Sequence, residues 1–340
     1  MSPDARFLVY VIPPEERIHL PLPDENDLLP HGGTLLRLRD ESGNEQTLTS
    51  GNLGDFRFSP DSNWLAVLAN SELWIFSLRK PFSQKLATYD SPMWLEWNAF
   101  GIAVLDRRTA DGTSVIDVVD LQGTALAHVA LPEHPLTRIT TAANTGRIVM
   151  FTAPEPHTGQ GLILEMSTDS PHVPPSALGK FSDGPVVNAE MAPNGSEFTY
   201  ATQAHTWLVR GETPRKRIQW VKSAHSIWYT PDGNLVAADA DTAVVFHDGR
   251  VWSIKARSGA FQTLRVRRDA DGFVLVHGNR VKAWNPWTNT TRTLGQVALT
   301  RHLVSADSFA GGLVFWTTQK SNSKRKYQSQ RYKSLSQNYN

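Results

Sequence analysis

Runs of four to six apolar, β-prone residues recur along this chain, and tight-turn signals stand between them. The clearest unit begins with Phe56-Arg57-Phe58, the turn Ser59-Pro60-Asp61-Ser62-Asn63 and the apolar run Trp64-Leu65-Ala66-Val67-Leu68. A polar turn over 69–71 and Glu72-Leu73-Trp74-Ile75-Phe76-Ser77-Leu78 complete it. Proline presets φ for a turn and has no N–H to give to a central ladder, so the pattern predicts three strands separated by two turns. Ile227-Trp228-Tyr229, Thr230-Pro231-Asp232-Gly233 and the runs 235–238 and 243–246 repeat the grammar. Ser2-Pro3-Asp4-Ala5 and Ala192-Pro193-Asn194-Gly195 also lead into apolar runs.

Looser copies fill the gaps. Taking equivalent turn positions at 3, 60, 98, 143, 193, 231, 270 and 306 gives a mean spacing of about 43 residues, the period of a four-stranded propeller blade. Short segments at 85–88, 125–129, 217–221 and 291–294 supply the fourth strands, and no long capped segment of 3.6-residue period competes. The predicted fold is all-β: a β-propeller of seven four-stranded blades, with eight as the alternative. Seven intervals would return the chain to its start, with a strand near His302 supplying the inner strand missing before Ser2. One blade cannot bury both its faces, so the eleven tryptophans, Trp64, Trp74, Trp207, Trp228, Trp252 and Trp284 among them, are expected to pack between blades.

Composition changes this picture only at the C-terminus. The residues 1–318 read as a single propeller domain and 319–340 as a disordered basic tail, because Lys324, Arg325, Lys326, Arg331 and Lys333 stand there without an acid. Net charge is +1, so the first 320 residues carry about −4, which argues against nucleic acid as the main partner. No apolar stretch is long enough for a membrane span, and no leader peptide is visible at Met1. A cytoplasmic, monomeric protein is expected, or a periplasmic one if the true start lies upstream. With zero cysteines there are no disulfides or thiolate metal sites.

Phe58-Ser59-Pro60-Asp61-Ser62-Asn63-Trp64-Leu65-Ala66 with Leu73-Trp74-Ile75-Phe76-Ser77-Leu78 resembles the WD40-like β-propeller repeats of the TolB type, and 191–200 and 229–237 are similar. The resemblance spans nearly all of 2–318. It implies a propeller and no particular activity, since such repeats occur in scaffold proteins and in the propeller domains of peptidases. The Gly-His and Trp-Asp dipeptides of true WD40 repeats are missing.

Compact catalytic signatures are also missing: there is no nucleophile elbow, phosphate loop, dinucleotide fingerprint or H-E-x-x-H. No catalytic residue, cofactor or metal ligand is assigned. Asp239-Ala240-Asp241 and Asp269-Ala270-Asp271-Gly272 read as turns, short of a calcium loop. The expectation is a non-catalytic interaction module that binds a protein or peptide, with a propeller hydrolase or lyase carrying a polar or metal site at the axis as the alternative.

Two groups of residues are candidates for that partner. Long second-to-third-strand links at 12–33, 106–113 and 153–160 share one face and present Glu15, Glu16, Arg17, His19, Arg107, Arg108 and His157. The first strands line the axis, where aligning on the turns puts Arg57, Glu96, Glu190 and Trp228 at one equivalent position, with Arg138, His225 and Arg267 nearby.

Overall fold

A strand that is buried on both faces reads as an unbroken apolar run, and the second strand of several units does so here, Trp64–Ala69 and Leu235–Ala238 among them. In this computed structural model, Ile102 and Val104 pack toward the preceding sheet and Ala103 and Leu105 toward the following one. Ile148 and Met150 are likewise divided from Val149 and Phe151. Alternation along such a strand therefore sorts residues between two cores instead of between core and solvent.

The structure describes residues 6–12, 34–211, 216–219, 221–230, 232–239, 241–247, 249–255, 261–266, 273–277, 280–296, 301–309 and 312–319. Among them every regular element is a strand and none is a helix. Strands β1 (Phe7–Ile12), β2 (Thr34–Asp40) and β3 (Glu45–Gly51) form a three-stranded sheet. The next sheet holds β4 (Leu53–Phe58), β5 (Trp64–Ala69), β6 (Glu72–Ser77) and β7 (Ser83–Thr88), followed by β8 (Pro92–Trp97), β9 (Ile102–Arg107), β10 (Ser114–Val119) and β11 (Ala125–Leu131). Then come β12 (Leu136–Thr141), β13 (Arg147–Thr152), β14 (Gly161–Ser167) and β15 (Ser176–Phe181), and after them β16 (Val186–Met191), β17 (Glu197–Thr202), β18 (Thr206–Arg210) and β19 (Lys216–Arg217). Two further four-stranded sheets comprise β20 (Ser226–Tyr229), β21 (Leu235–Ala238), β22 (Thr242–His247) and β23 (Arg250–Lys255), and β24 (Phe261–Val266), β25 (Phe273–His277), β26 (Arg280–Asn285) and β27 (Thr290–Gln296). The hairpin β28 (Arg301–Phe309) and β29 (Gly312–Gln319) ends the series.

Six sheets thus have the expected four strands in simple antiparallel order. At the ends the outcome differs from the sequence reading. The segment 306–308, read as a turn, lies inside β28, whose Ser308 pairs with Leu313 and whose Phe309 pairs with Gly312. Asp307 and Ser308 are favoured in turns, but pairing with Val314 and Leu313 holds them in the strand.

The chain divides into two compact units. One comprises Met1–Leu53, Ala240–Thr242 and Trp252–Asn340, the other Gly54–Asp239 and Ala243–Val251. In the first, Trp284 is fully buried and meets Phe273 at 5.8 Å, while Trp252 and Trp287 meet edge to face at 4.7 Å.

In the second unit each core lies between consecutive sheets. Leu68, Leu73 and Ile75 pack against Leu95, Trp97 and Ile102. Leu105 and Ile116 pack against Ile139 and Met150, and Phe151 and Phe181 against Phe198 and Tyr200. Leu208 and Ala201 pack against Ile227 and Leu235. This is the stacking the repeat period required, since each meander shares its core with the next. Trp64, Trp97 and Trp207 take part in these layers as expected of the tryptophans.

The Pro-Asp turns close as the sequence implies. The Ser62, Gly195 and Gly233 N–H groups donate to the carbonyls of Ser59, Ala192 and Thr230. All three residues hold positive φ, 57°, 71° and 85°, a conformation that glycine adopts freely and serine rarely does. At the serine copy extra bonds hold the turn: Ser59 Oγ donates to Asp61 Oδ1 at 2.5 Å and accepts from the Trp64 N–H at 2.9 Å.

Candidate functional site

The N–H groups of Ser59, Asn98, Ala142, Ala192 and Thr230 each bond across the turn to the start of the second strand, which aligns the five first strands of the second unit. Counting back two residues gives Arg57, Glu96, Thr140, Glu190 and Trp228. Counting back four gives Asp55, Trp94, Arg138, Asn188 and Ser226. Arg138 therefore stands one layer away from the residues with which looser alignment had grouped it. In space β8 lies beside β12, β12 beside β16 and β16 beside β20, so the two layers run across neighbouring strands.

A repeated backbone irregularity lies just before the second of these layers. Register shifts between Pro92 and Trp94, between Leu136 and Arg138, and between Val186 and Asn188, leaving Met93, Thr137 and Val187 as the extra residues of three equivalent bulges. A bulge re-aims the residue that follows it. It also leaves Met93 38% and Val187 41% exposed, apolar side chains beside a charged cluster.

The cluster is a network. Arg57 pairs with Asp55 at 3.2 Å and with Glu96 at 3.7 Å, and its guanidinium lies 5.0 Å from the centre of the Trp94 ring. Trp94 donates its indole N–H to Glu96 at 2.9 Å. Arg138 stacks at 3.9 Å on the same ring and donates to the Val187 carbonyl and to Asn188 Oδ1, each at 2.8 Å. Asn188 Nδ2 reaches the His225 carbonyl at 3.4 Å. One indole thus carries two guanidinium groups, an arrangement that needs carboxylates nearby to offset their repulsion.

Those carboxylates are held in unequal states. Burial pushes Asp55 and Glu96 above the usual carboxylate range despite the pull of Arg57. Burial acts most strongly on Glu190, and with repulsion from Glu96 it raises this group to about 8, against the opposing pull of Arg57 and Arg138. Burial also lowers Arg138, whereas at Arg57 the acids outweigh burial and the pKa rises. Among the described residues no hydrogen-bond donor is placed on Glu190.

An acid whose pKa rises on folding contributes stability that is complete below its unfolded value of 4.5 and is lost as pH climbs through its folded value. Glu190→Gln is therefore expected to leave stability at pH 4.5 nearly unchanged and to raise it by roughly 1–3 kcal/mol at pH 8. Urea unfolding at the two pH values checks this; equal effects at both would show that Glu190 titrates normally.

Of the remaining axial candidates, Trp228 occupies the Glu190 layer on β20, and His225 enters the network through its backbone. Arg267 lies outside the described residues. Sequence alignment on the turns missed Asp55, Trp94 and Asn188, although the same count taken two residues further back would have found them.

Among the link candidates, Glu15, Glu16, Arg17 and His19 also lie outside the described residues. Arg107 donates to the Leu136 carbonyl at 3.2 Å, tying its link to β12. Arg108 is exposed and approaches His128 Nε2 at 3.4 Å, while His128 Nδ1 meets Asp117 at 2.6 Å. His157 is exposed in a link closed by its own bonds, from Gln160 and Glu155 backbone atoms and the Thr158 hydroxyl. Pro92 pairs with Asp106 and Leu136 with Thr152, so the 108–113 and 153–160 links emerge at the end of the sheets where the first strands begin, near the bulges.

Two other groups that look chemical prove to hold links in place. Asp183 Oδ2 accepts from Thr202 Oγ1, His205 Nδ1 and Trp207 Nε1 at 2.9, 3.2 and 2.7 Å, joining a link to the β17–β18 turn. Asp239 accepts the Lys222 N–H at 2.9 Å. Among the described residues no group of three histidines, aspartates or glutamates is placed to hold a metal ion, and no helix is long and apolar enough to cross a membrane.

No protein-family model matches the chain, and no curated protein sequence does. Solved structures do match. A chain of a crystal structure of a mitotic checkpoint complex aligns with a TM-score of 0.53 and 12% identity over 82% of this chain and 91% of that one. The Dos1 propeller aligns with a TM-score of 0.53 and 13% identity over 82% of each chain. An acylaminoacyl peptidase from Pyrococcus horikoshii gives 0.56 and 12% identity over 86% of this chain, which spans 54% of that chain. At this identity the likeness is one of fold, and the fold is a β-propeller.

Proposed function

We propose that this protein is a non-catalytic interaction module, holding a protein or peptide partner at the end of its sheets where the first strands begin. One observation carries the reading: equivalent bulges in β8, β12 and β16 set a network of arginines, carboxylates and Trp94 beside exposed Met93 and Val187. Apolar anchors next to arginine and tryptophan are the composition of binding hot spots. The links bearing Arg108 and His157 rise at the same end and extend the surface. The turn grammar further supports a place among the TolB-type repeats.

Affinity capture with the intact protein and with the double variant Met93→Glu, Val187→Glu tests the reading. Partners recovered by the former are expected to fall at least tenfold with the latter, whose circular dichroism should be unchanged. Equal recovery would exclude this surface.

A second reading, a propeller hydrolase or lyase, is favoured by one feature. Glu96 and Glu190 are neighbouring carboxylates that both bind protons more tightly than usual, as paired acids in catalytic sites do. It requires substrate turnover that Glu190→Gln abolishes.

A further inference from the structure

Within the charged network every cation has its partners. Arg57 is taken by Asp55 and Glu96, and Arg138 by the Val187 carbonyl, Asn188 and the Trp94 face. The carboxylates number three against two guanidinium groups, and Glu190 is the one left over. It is half-buried. Trp228 stands at the equivalent position on the adjacent strand β20. Residues 54–239 hold 19 acidic and 14 basic side chains, a net charge of −5, so their summed field attracts cations.

From this geometry we propose that Glu190 is a receptor for one primary ammonium group, a lysine side chain or N-terminal amine of the partner, steadied by Trp228 and flanked by Met93 and Val187. The inference rests on the interaction-module reading and adds the chemistry of the partner. A carboxylate beside an aromatic face suits an ammonium ion, which gains both a charge-assisted hydrogen bond and a cation–π contact.

Binding has a proton signature. At pH 7 Glu190 holds a proton that an incoming ammonium must displace, and the proton passes to the buffer. Asp55, Arg57, Glu96, Arg138 and Tyr229 are the other titratable groups around it, and burial raises both carboxylates above their usual range.

Calorimetric titration with tetralysine and with tetralysine acetylated on every amine tests the proposal. The free peptide is expected to bind intact protein at least tenfold more tightly than the acetylated one, and to release up to one proton at pH 7 when phosphate and Tris buffers are compared. Glu190→Gln should weaken binding at least tenfold and abolish the release, whereas Asp232→Asn, at an exposed site in the turn at the other end of β20, should change neither. Equal binding of the two peptides overturns the proposal whatever the variant does, and so does unaltered binding by Glu190→Gln. If either occurs while Met93→Glu, Val187→Glu still loses captured partners, the ammonium site falls and the interaction reading stands. If capture is also unaltered, both fall.

Discussion

Alanine at Gly101 is expected to destabilise the fold by about 3 kcal/mol or more, enough to remove a large fraction of a domain's stability. Gly101 closes the turn into β9, and its N–H donates to Asn98 Oδ1 at 3.0 Å. A methyl group there would lie 2.1 Å from the Val119 carbonyl oxygen and 2.9 Å from its carbon. The obstacle is backbone at the end of β10, so no side chain can rotate to make room. Strands β9 and β10 would have to separate, and with them the cores on both faces of the sheet. Thermal unfolding monitored by tryptophan fluorescence checks the prediction; a loss below 1 kcal/mol would mean that the turn repacks without cost.

Arg57→Gln is expected to cost about 2–3 kcal/mol at pH 7.5, somewhat less than the loss of a fully buried pair because the Arg57 side chain is 36% exposed. The change leaves Asp55 and Glu96 without their nearest cation and removes one of the two guanidinium groups from Trp94. The deficit should depend on pH with a definite sign. Without Arg57 the acids bind protons still more tightly when folded, and such a group costs stability above its unfolded pKa. The penalty should therefore be greatest near pH 8 and fall by about half at pH 5, leaving the lost stacking and hydrogen bonds. Urea titrations at both pH values decide it, and a deficit independent of pH would mean that the carboxylates are not coupled to Arg57.

Much of the architecture is legible in the chain because its turns repeat. Proline, aspartate or asparagine, and glycine or serine meet needs of backbone geometry that do not depend on neighbours, so Ser59–Ser62, Ala192–Gly195 and Thr230–Gly233 announce strand order without a structure. Counting back from those turns also reaches Arg57, Glu96, Glu190 and Trp228, because the inner strand between turn and layer is regular. The count fails at Arg138 because the turn after β12, Ala143-Asn144-Thr145-Gly146, has no proline to mark where the strand ends, although the register from Arg138 to Thr141 is unbroken. It fails again at 306–308, where turn-favouring residues are drawn into β28 by pairing with β29.

The sequence by itself determined the all-β class, the four-stranded period and which residues sit near the first-strand ends, because these follow from local conformational preference and from apolar runs that demand burial on both faces. Only the tertiary structure decided which charges meet. Asp55, Arg57, Trp94, Glu96, Arg138, Asn188 and Glu190 come from four strands separated by roughly forty to fifty residues in the chain, in keeping with the blade period. Which groups Glu190 faces depends on the strands set beside β16, and that follows from packing between blades, which local sequence does not encode.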